Sequence, residues 1–192
     1  MNFLAHLALS GNDEELRIGN AIADFTRKKF YSNFPEGVQK GIYLHHFIDD
    51  YTDQHPLVRQ MLEVWRPMQG KYAAVVNDII MDHFLALDFK EYHQQGLEDF
   101  ASNAYASFRR HWELLPPKAQ NTFHYMENGN WLLNYQYQIG MERSLAGMSR
   151  RAKNENRMAE AVVQLNRDKQ FFKECFDGFY PELMEVTAKQ IR

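Results

Sequence analysis

The sequence predicts an all-α protein, and three observations carry that expectation. Apolar residues recur at helical spacing, and no strand-like alternation stands out along the 192 residues. Glycine and proline divide the chain into pieces of helix length. Aromatic residues reach 14%, enough bulky side chain to fill the space between packed helices. The length suits one domain with one core, so residues 1–192 are read as a single helical bundle of seven to nine helices.

The elements follow in order. Asn2 to Leu9 is a short apolar segment of one or two helical turns. Ser10-Gly11-Asn12-Asp13 is a turn whose last residues can cap a helix from Glu14 to about Phe30, with Leu16, Ile18, Ala21, Ile22 and Phe25 on its apolar side. Gly19 inside it costs about 1 kcal/mol relative to alanine, a cost that close packing against a neighbouring helix can offset. Pro35 suits the first turn of the next helix, and no glycine or proline interrupts the chain from Ile42 to His55. Pro56 sets the following boundary. Leu57 to Met68 and Tyr72 to Phe89 are two further helices, the second apolar on almost every side and therefore buried. Leu97 to Leu115 is amphipathic and ends at Pro116-Pro117. Short aromatic-rich helices fill Lys118 to Tyr137, and Met141 to Arg151 forms another helix. Asn156 to Phe176 and Pro181 to Ile191 are the last two, divided at Asp177-Gly178.

Composition excludes several classes. A net charge of −3 gives no general nucleic-acid footprint. There is no apolar run of about 18 residues, so no membrane span is expected. The first ten residues carry His6 and no basic leader, unlike a signal peptide, and the single cysteine, Cys175, agrees with a reducing compartment. Cytoplasm is the expected location.

The chemistry-bearing residues sit on apolar helices. Four-residue steps return to nearly the same helix face, so His45, Asp49 and Asp53 climb one side of their helix as a ladder. Asp78 and Asp82 lie one turn apart in the most apolar helix, with His83 beside them, and Asp24 and His6 lie on apolar stretches of their own. Such groups are costly to bury unless something neutralises them. A divalent metal would do so, and imidazole with carboxylate suits Mn²⁺, Fe²⁺, Zn²⁺ or Mg²⁺. A metal of this kind polarises phosphoryl oxygens and acidifies water, the chemistry of phosphate-ester hydrolysis. The competing reading is that the His/Asp pairs only fix packing. No P-loop, thiolate cluster or dinucleotide motif is present.

Several segments together resemble the acyl carrier protein phosphodiesterase family. They are Met1-Asn2-Phe3-Leu4-Ala5-His6-Leu7, Gly19-Asn20-x-x-Ala23-Asp24-Phe25, Gly41-Ile42-x-x-His45-x-x-Ile48-Asp49-x-x-Thr52-Asp53 and Asp82-His83-Phe84-Leu85. Trp131-Leu132-x-x-Tyr135, Gly147-Met148-Ser149-Arg150-Arg151 and Phe179-Tyr180-Pro181 extend the match over nearly the whole chain. The resemblance implies an HD-like helical fold and a metal-dependent enzyme, usually with Mn²⁺. It implies hydrolysis of the phosphodiester that joins 4′-phosphopantetheine to a serine of acyl carrier protein, a prosthetic-group turnover in fatty acid biosynthesis. Carried over by position, it makes Asp24, His45, Asp49, Asp82 and His83 the metal residues, with His6 and Asp53 as catalytic acid/base groups. The order Asp82-His83 departs from the His-Asp order of ordinary HD enzymes, so their ligand assignments do not transfer one for one. His46 and His55 read as hydrogen-bonding histidines rather than ligands. The alternative function is an HD-like phosphohydrolase acting on nucleotides or other small phosphate esters.

Acyl carrier protein is acidic, and this chain is also net negative, so docking needs a local basic patch. Arg150 and Arg151 are the first choice, ahead of Arg109-Arg110 and Arg27-Lys28-Lys29.

Overall fold

Asp13 accepts a hydrogen bond from the Leu16 amide, 3.0 Å, and opens the second helix as the sequence predicts. The computed structural model describes residues 1–191, and among these it is all-helical, without a strand. The first five α-helices are α1 (Phe3–Leu9), α2 (Glu14–Ile22), α3 (Glu36–Gln54), α4 (Pro56–Gln69) and α5 (Ala73–Leu87). The rest are α6 (Phe89–Tyr92), α7 (Leu97–Arg110), α8 (Pro117–Asn128), α9 (Trp131–Asn134), α10 (Gln138–Arg151) and α11 (Ala161–Ile191). The count exceeds seven to nine because α6 and α9 are single turns too short for periodicity to register.

Two boundaries differ from the sequence expectation. The second helix stops at Ile22 rather than Phe30, and Ala23–Phe25 and Lys28–Asn33 follow as 3₁₀ turns. Thr26 closes the first of these turns: its amide donates to the Ala23 carbonyl, 3.1 Å, its hydroxyl to the Ile22 carbonyl, 3.0 Å, and its backbone is extended. At the other end of the chain, no break falls at Asp177-Gly178. Gly178 and Pro181 lie inside α11, and the kink sits at Asp168, whose φ and ψ are −110° and 18°. A Cβ at Gly178 would lie 2.7 Å from Leu57 Cδ1 of α4, so this glycine lies in a helix contact and does not end the helix.

The tightest helix pair is α2 against α3. Gly19 and Gly41 face each other across it, and a Cβ added to either would lie 2.8 Å from the other's Cα. This crossing brings the end of α2 against the middle of α3. Beyond it, Trp65 of α4 stacks on Phe172 of α11 with ring centroids 4.4 Å apart, and Phe84 of α5 packs against Phe176. One apolar core runs from Leu4 to Leu183 through these contacts.

Candidate metal centre

The first helix has only seven residues, too few to be stable alone in water. It is held from outside. Asp82 of α5 is fully buried beneath its N-terminus, accepting from the Leu4 amide at 2.8 Å and from the Asn2 and Ala5 amides at 3.3 Å each. A carboxylate there meets both the unpaired amides and the positive end of the helix dipole. Burial pushes the Asp82 carboxyl up to about 7, against the opposing pull of the Met1 amine and these three amides. The Met1 amine itself pairs with Asp78, 3.0 Å away.

Seated in this way, α1 directs His6 toward α3, where His45 stacks on it with ring centroids 4.1 Å apart. Asp49, one turn beyond His45, reaches both rings. Its Oδ1 lies 3.2 Å from His6 Nε2 and its Oδ2 lies 3.1 Å from His45 Nε2. Asp24, in the 3₁₀ turn after α2, lies 3.4 Å from His45 Nε2 and is otherwise exposed. One ligand atom from each of His6, His45 and Asp49 falls within 4.8 Å of the others.

The other edge of both rings rests on Asn20, which is fully buried. Its Nδ2 donates to the His6 carbonyl at 2.8 Å and to Ser10 Oγ at 3.0 Å, which fixes the amide's orientation. Its Oδ1 therefore faces the rings. It accepts from His6 Nδ1 at 2.9 Å and from His45 Nδ1 at 3.1 Å, and the Asn20 carbonyl also accepts from His45 Nδ1 at 2.9 Å. Both Nδ1 atoms carry hydrogen, so in the neutral rings both Nε2 atoms present lone pairs to Asp49.

The electrostatics follow from stacking two imidazoles beside carboxylates. Burial pulls both rings down, but Asp24 and Asp49 outweigh it at His45 and raise it to about 9. At His6 burial wins, helped by the charge on His45, and its pKa falls to about 4 despite Asp49. Burial opposes ionisation of Asp49, yet the hydrogen bond and charge of protonated His45 hold its carboxyl far below the usual carboxylate range. His45 likewise lowers Asp24 by hydrogen bonding.

The cluster lines a cavity of about 590 Å³ that also takes in Asp53, Asp78 and Arg151. Of the residues singled out from sequence, the fold brings together His6, Asp24, His45 and Asp49, with Asp53 on the same cavity wall. It does not bring Asp82 or His83 to them. Asp82 spends its oxygens on the start of α1, and His83 donates from Nδ1 to the Tyr135 carbonyl, 2.6 Å away, tying α5 to the end of α9. His46 bonds the Tyr31 hydroxyl at 2.7 Å, and His55 caps α4 and meets Glu182 at 3.3 Å. Asn20 went unassigned as a site residue because an amide gives no charge signal. Its sequence marks are its place beside the glycine of the helix crossing and in the Gly19-Asn20-x-x-Ala23-Asp24-Phe25 segment.

Fold and site together define an all-helical protein with a two-histidine, one-carboxylate candidate metal centre at the crossing of its first three helices. The chain belongs to the acyl carrier protein phosphodiesterase family, whose model matches residues 1–183. It is similar to proteins named acyl carrier protein phosphodiesterase from Salmonella agona (strain SL483), Salmonella dublin and Salmonella newport (strain SL254). With each it is 30% identical over 191 residues, covering 99% of this chain and 99% of the relative. No solved structure matches. Among the described residues, no helix is long and apolar enough to cross a membrane.

Proposed function

We infer that the chain is a metal-dependent phosphodiesterase that releases 4′-phosphopantetheine from holo-acyl carrier protein. One observation carries the metal: His6 Nε2 faces Asp49 Oδ1 at 3.2 Å while its own hydrogen is on Nδ1, bound to Asn20. A lone pair set against a carboxylate is repulsive unless a cation lies between them. Because the rings stack, protonating both to relieve it is unfavourable. His6, His45 and Asp49 therefore suit a divalent ion, and Asp24, 3.4 Å from His45 Nε2, would be a further carboxylate donor beside them. Mixed imidazole and carboxylate donors fit several divalent ions, and among them we propose Mn²⁺, the ion that the family resemblance implies. When bound, such an ion neutralises charge on phosphoryl oxygens and acidifies water.

The chain's own groups supply the remainder. Arg151 lines the same cavity and offers its guanidinium to the phosphodiester. Asp53, one turn past Asp49, is the carboxylate placed to take or return a proton. This reading moves His6 from acid/base group to ligand and gives Asp82 the task of seating α1. Arg150 and Arg151, exposed in the last turn of α10, are the docking cations for the acidic carrier.

The test is a mass measurement. Purified protein loaded with Mn²⁺ is incubated with holo-carrier, and the carrier is expected to lose the mass of phosphopantetheine. A carrier left intact with every divalent ion tried refutes the function.

A further inference from the structure

Beside the metal cavity lies a second one of about 290 Å³, walled by the start of α1, α9 and α10. The two share Asn2, Phe3, Trp131, Met148 and Arg151, so they adjoin.

The clue to its occupant is Gly147, in the body of α10 and lining this cavity. A glycine there costs about 1 kcal/mol relative to alanine, so it needs a reason. At Gly19, Gly41 and Gly140 the reason is protein: an added Cβ would run into a neighbouring backbone. At Gly147 an added Cβ would meet nothing nearer than the Arg150 and Arg151 guanidinium nitrogens, 4.0 Å away. No part of this chain uses the space. It opens onto the cavity, where the absence of a side chain lets a ligand approach the helix backbone.

Resting on the phosphodiesterase reading, we propose that this second cavity holds the pantetheine arm of the substrate, laid along α10 over Gly147. Phe3, Trp131 and Met148 offer apolar walls to the arm's geminal methyl groups and methylenes. Asn2, Asn134 and Ser144 stand among them as partners for its amides. That mixed polar and apolar lining suits an amide-bearing chain better than a plain acyl tail. The shared Arg151 then falls where the arm meets the phosphate, and the carrier's serine approaches from the open side of the metal cavity.

Pantetheine itself, which has neither phosphate nor a bond to be cleaved, tests this without hydrolysis. Calorimetric titration of the full chain is expected to show binding. Gly147→Leu should weaken it at least about tenfold, while Gly147→Ala changes it little. Neither variant should melt below the parent, because each replaces a mid-helix glycine. Ser144→Leu, which fills the same cavity one turn earlier, should give the same loss and serves as the second block. Failure of the parent to bind pantetheine, or equal binding by parent and both leucine variants, overturns the proposal. Intact holo-carrier in the mass assay would instead overturn the function and leave the pantetheine result standing.

Discussion

Replacing Asn20 tests the centre at its least conspicuous point. In Asn20→Ala, His45 keeps a partner for Nδ1, because the residue's backbone carbonyl remains 2.9 Å away. His6 keeps none: its Nδ1 had only the lost Oδ1, at 2.9 Å. Ser10 still donates to the His6 carbonyl at 2.9 Å, so the backbone of α1 stays tied while the ring comes free. An unpaired buried donor costs about 1–3 kcal/mol of stability. Removing a group that orients a ligating imidazole typically weakens metal binding about 10- to 100-fold, or roughly 1.4–2.8 kcal/mol. Asn20→Asp is the control. It restores an acceptor for both rings while losing the two Nδ2 bonds, so it should recover most of the Mn²⁺ affinity without all of the stability. Free Mn²⁺ is read by electron paramagnetic resonance in a titration, and melting is followed in parallel. Wild-type Mn²⁺ affinity in Asn20→Ala, with only a lowered Tm, would show that the amide supports the fold and does not set the rings.

The remaining predictions share these assays. In metal-free protein the raised pKa of His45 means that its pairing with Asp24 and Asp49 stabilises the fold fully below pH 6.5 and is lost as pH rises through about 9. The Tm gap between parent and Asp49→Asn should therefore shrink from pH 6.5 to 9, and a gap unchanged to pH 10 would contradict the pairing. His6, lowered to about 4, works the other way, costing stability as pH falls from 6.5. Asp82→Ala strands three amides at the start of α1, a loss of about 3 kcal/mol or more and a Tm fall of roughly 6–12 °C; unchanged melting with lost metal would make Asp82 a ligand after all. Reversing Arg150 and Arg151 to glutamate should raise KM for holo-carrier most at low salt, and unchanged kinetics would remove both from docking.

The parts of this molecule legible in the sequence were those that repeat. The ladder of His45, Asp49 and Asp53 needed only the helical period, and the buried character of α5 needed only its lack of a polar face. The turn of Asp24 away from α2 was not legible, because no glycine or proline between Asn20 and Asn33 marks it. Asp82 is a related case. A carboxylate buried in an apolar helix reads the same whether a cation or a row of amides neutralises it, and those amides belong to a segment 77–80 residues away. His83 is the same case with a single carbonyl.

Asp82 also shows how a centre can depend on a residue that does not touch it. His6 belongs to the shortest of the helices that meet at the site, and that helix has too few internal hydrogen bonds to hold a ring in place. The acid on α5 supplies what is missing by satisfying three N-terminal amides at once. Asn20 then fixes the rotation of the ring, and the Gly19–Gly41 contact sets how near α3 can bring Asp49. Each of these acts on position and none on charge at the cluster. The candidate metal site is therefore preorganised by groups whose removal should change affinity through geometry, with His6, His45 and Asp49 still present in the chain.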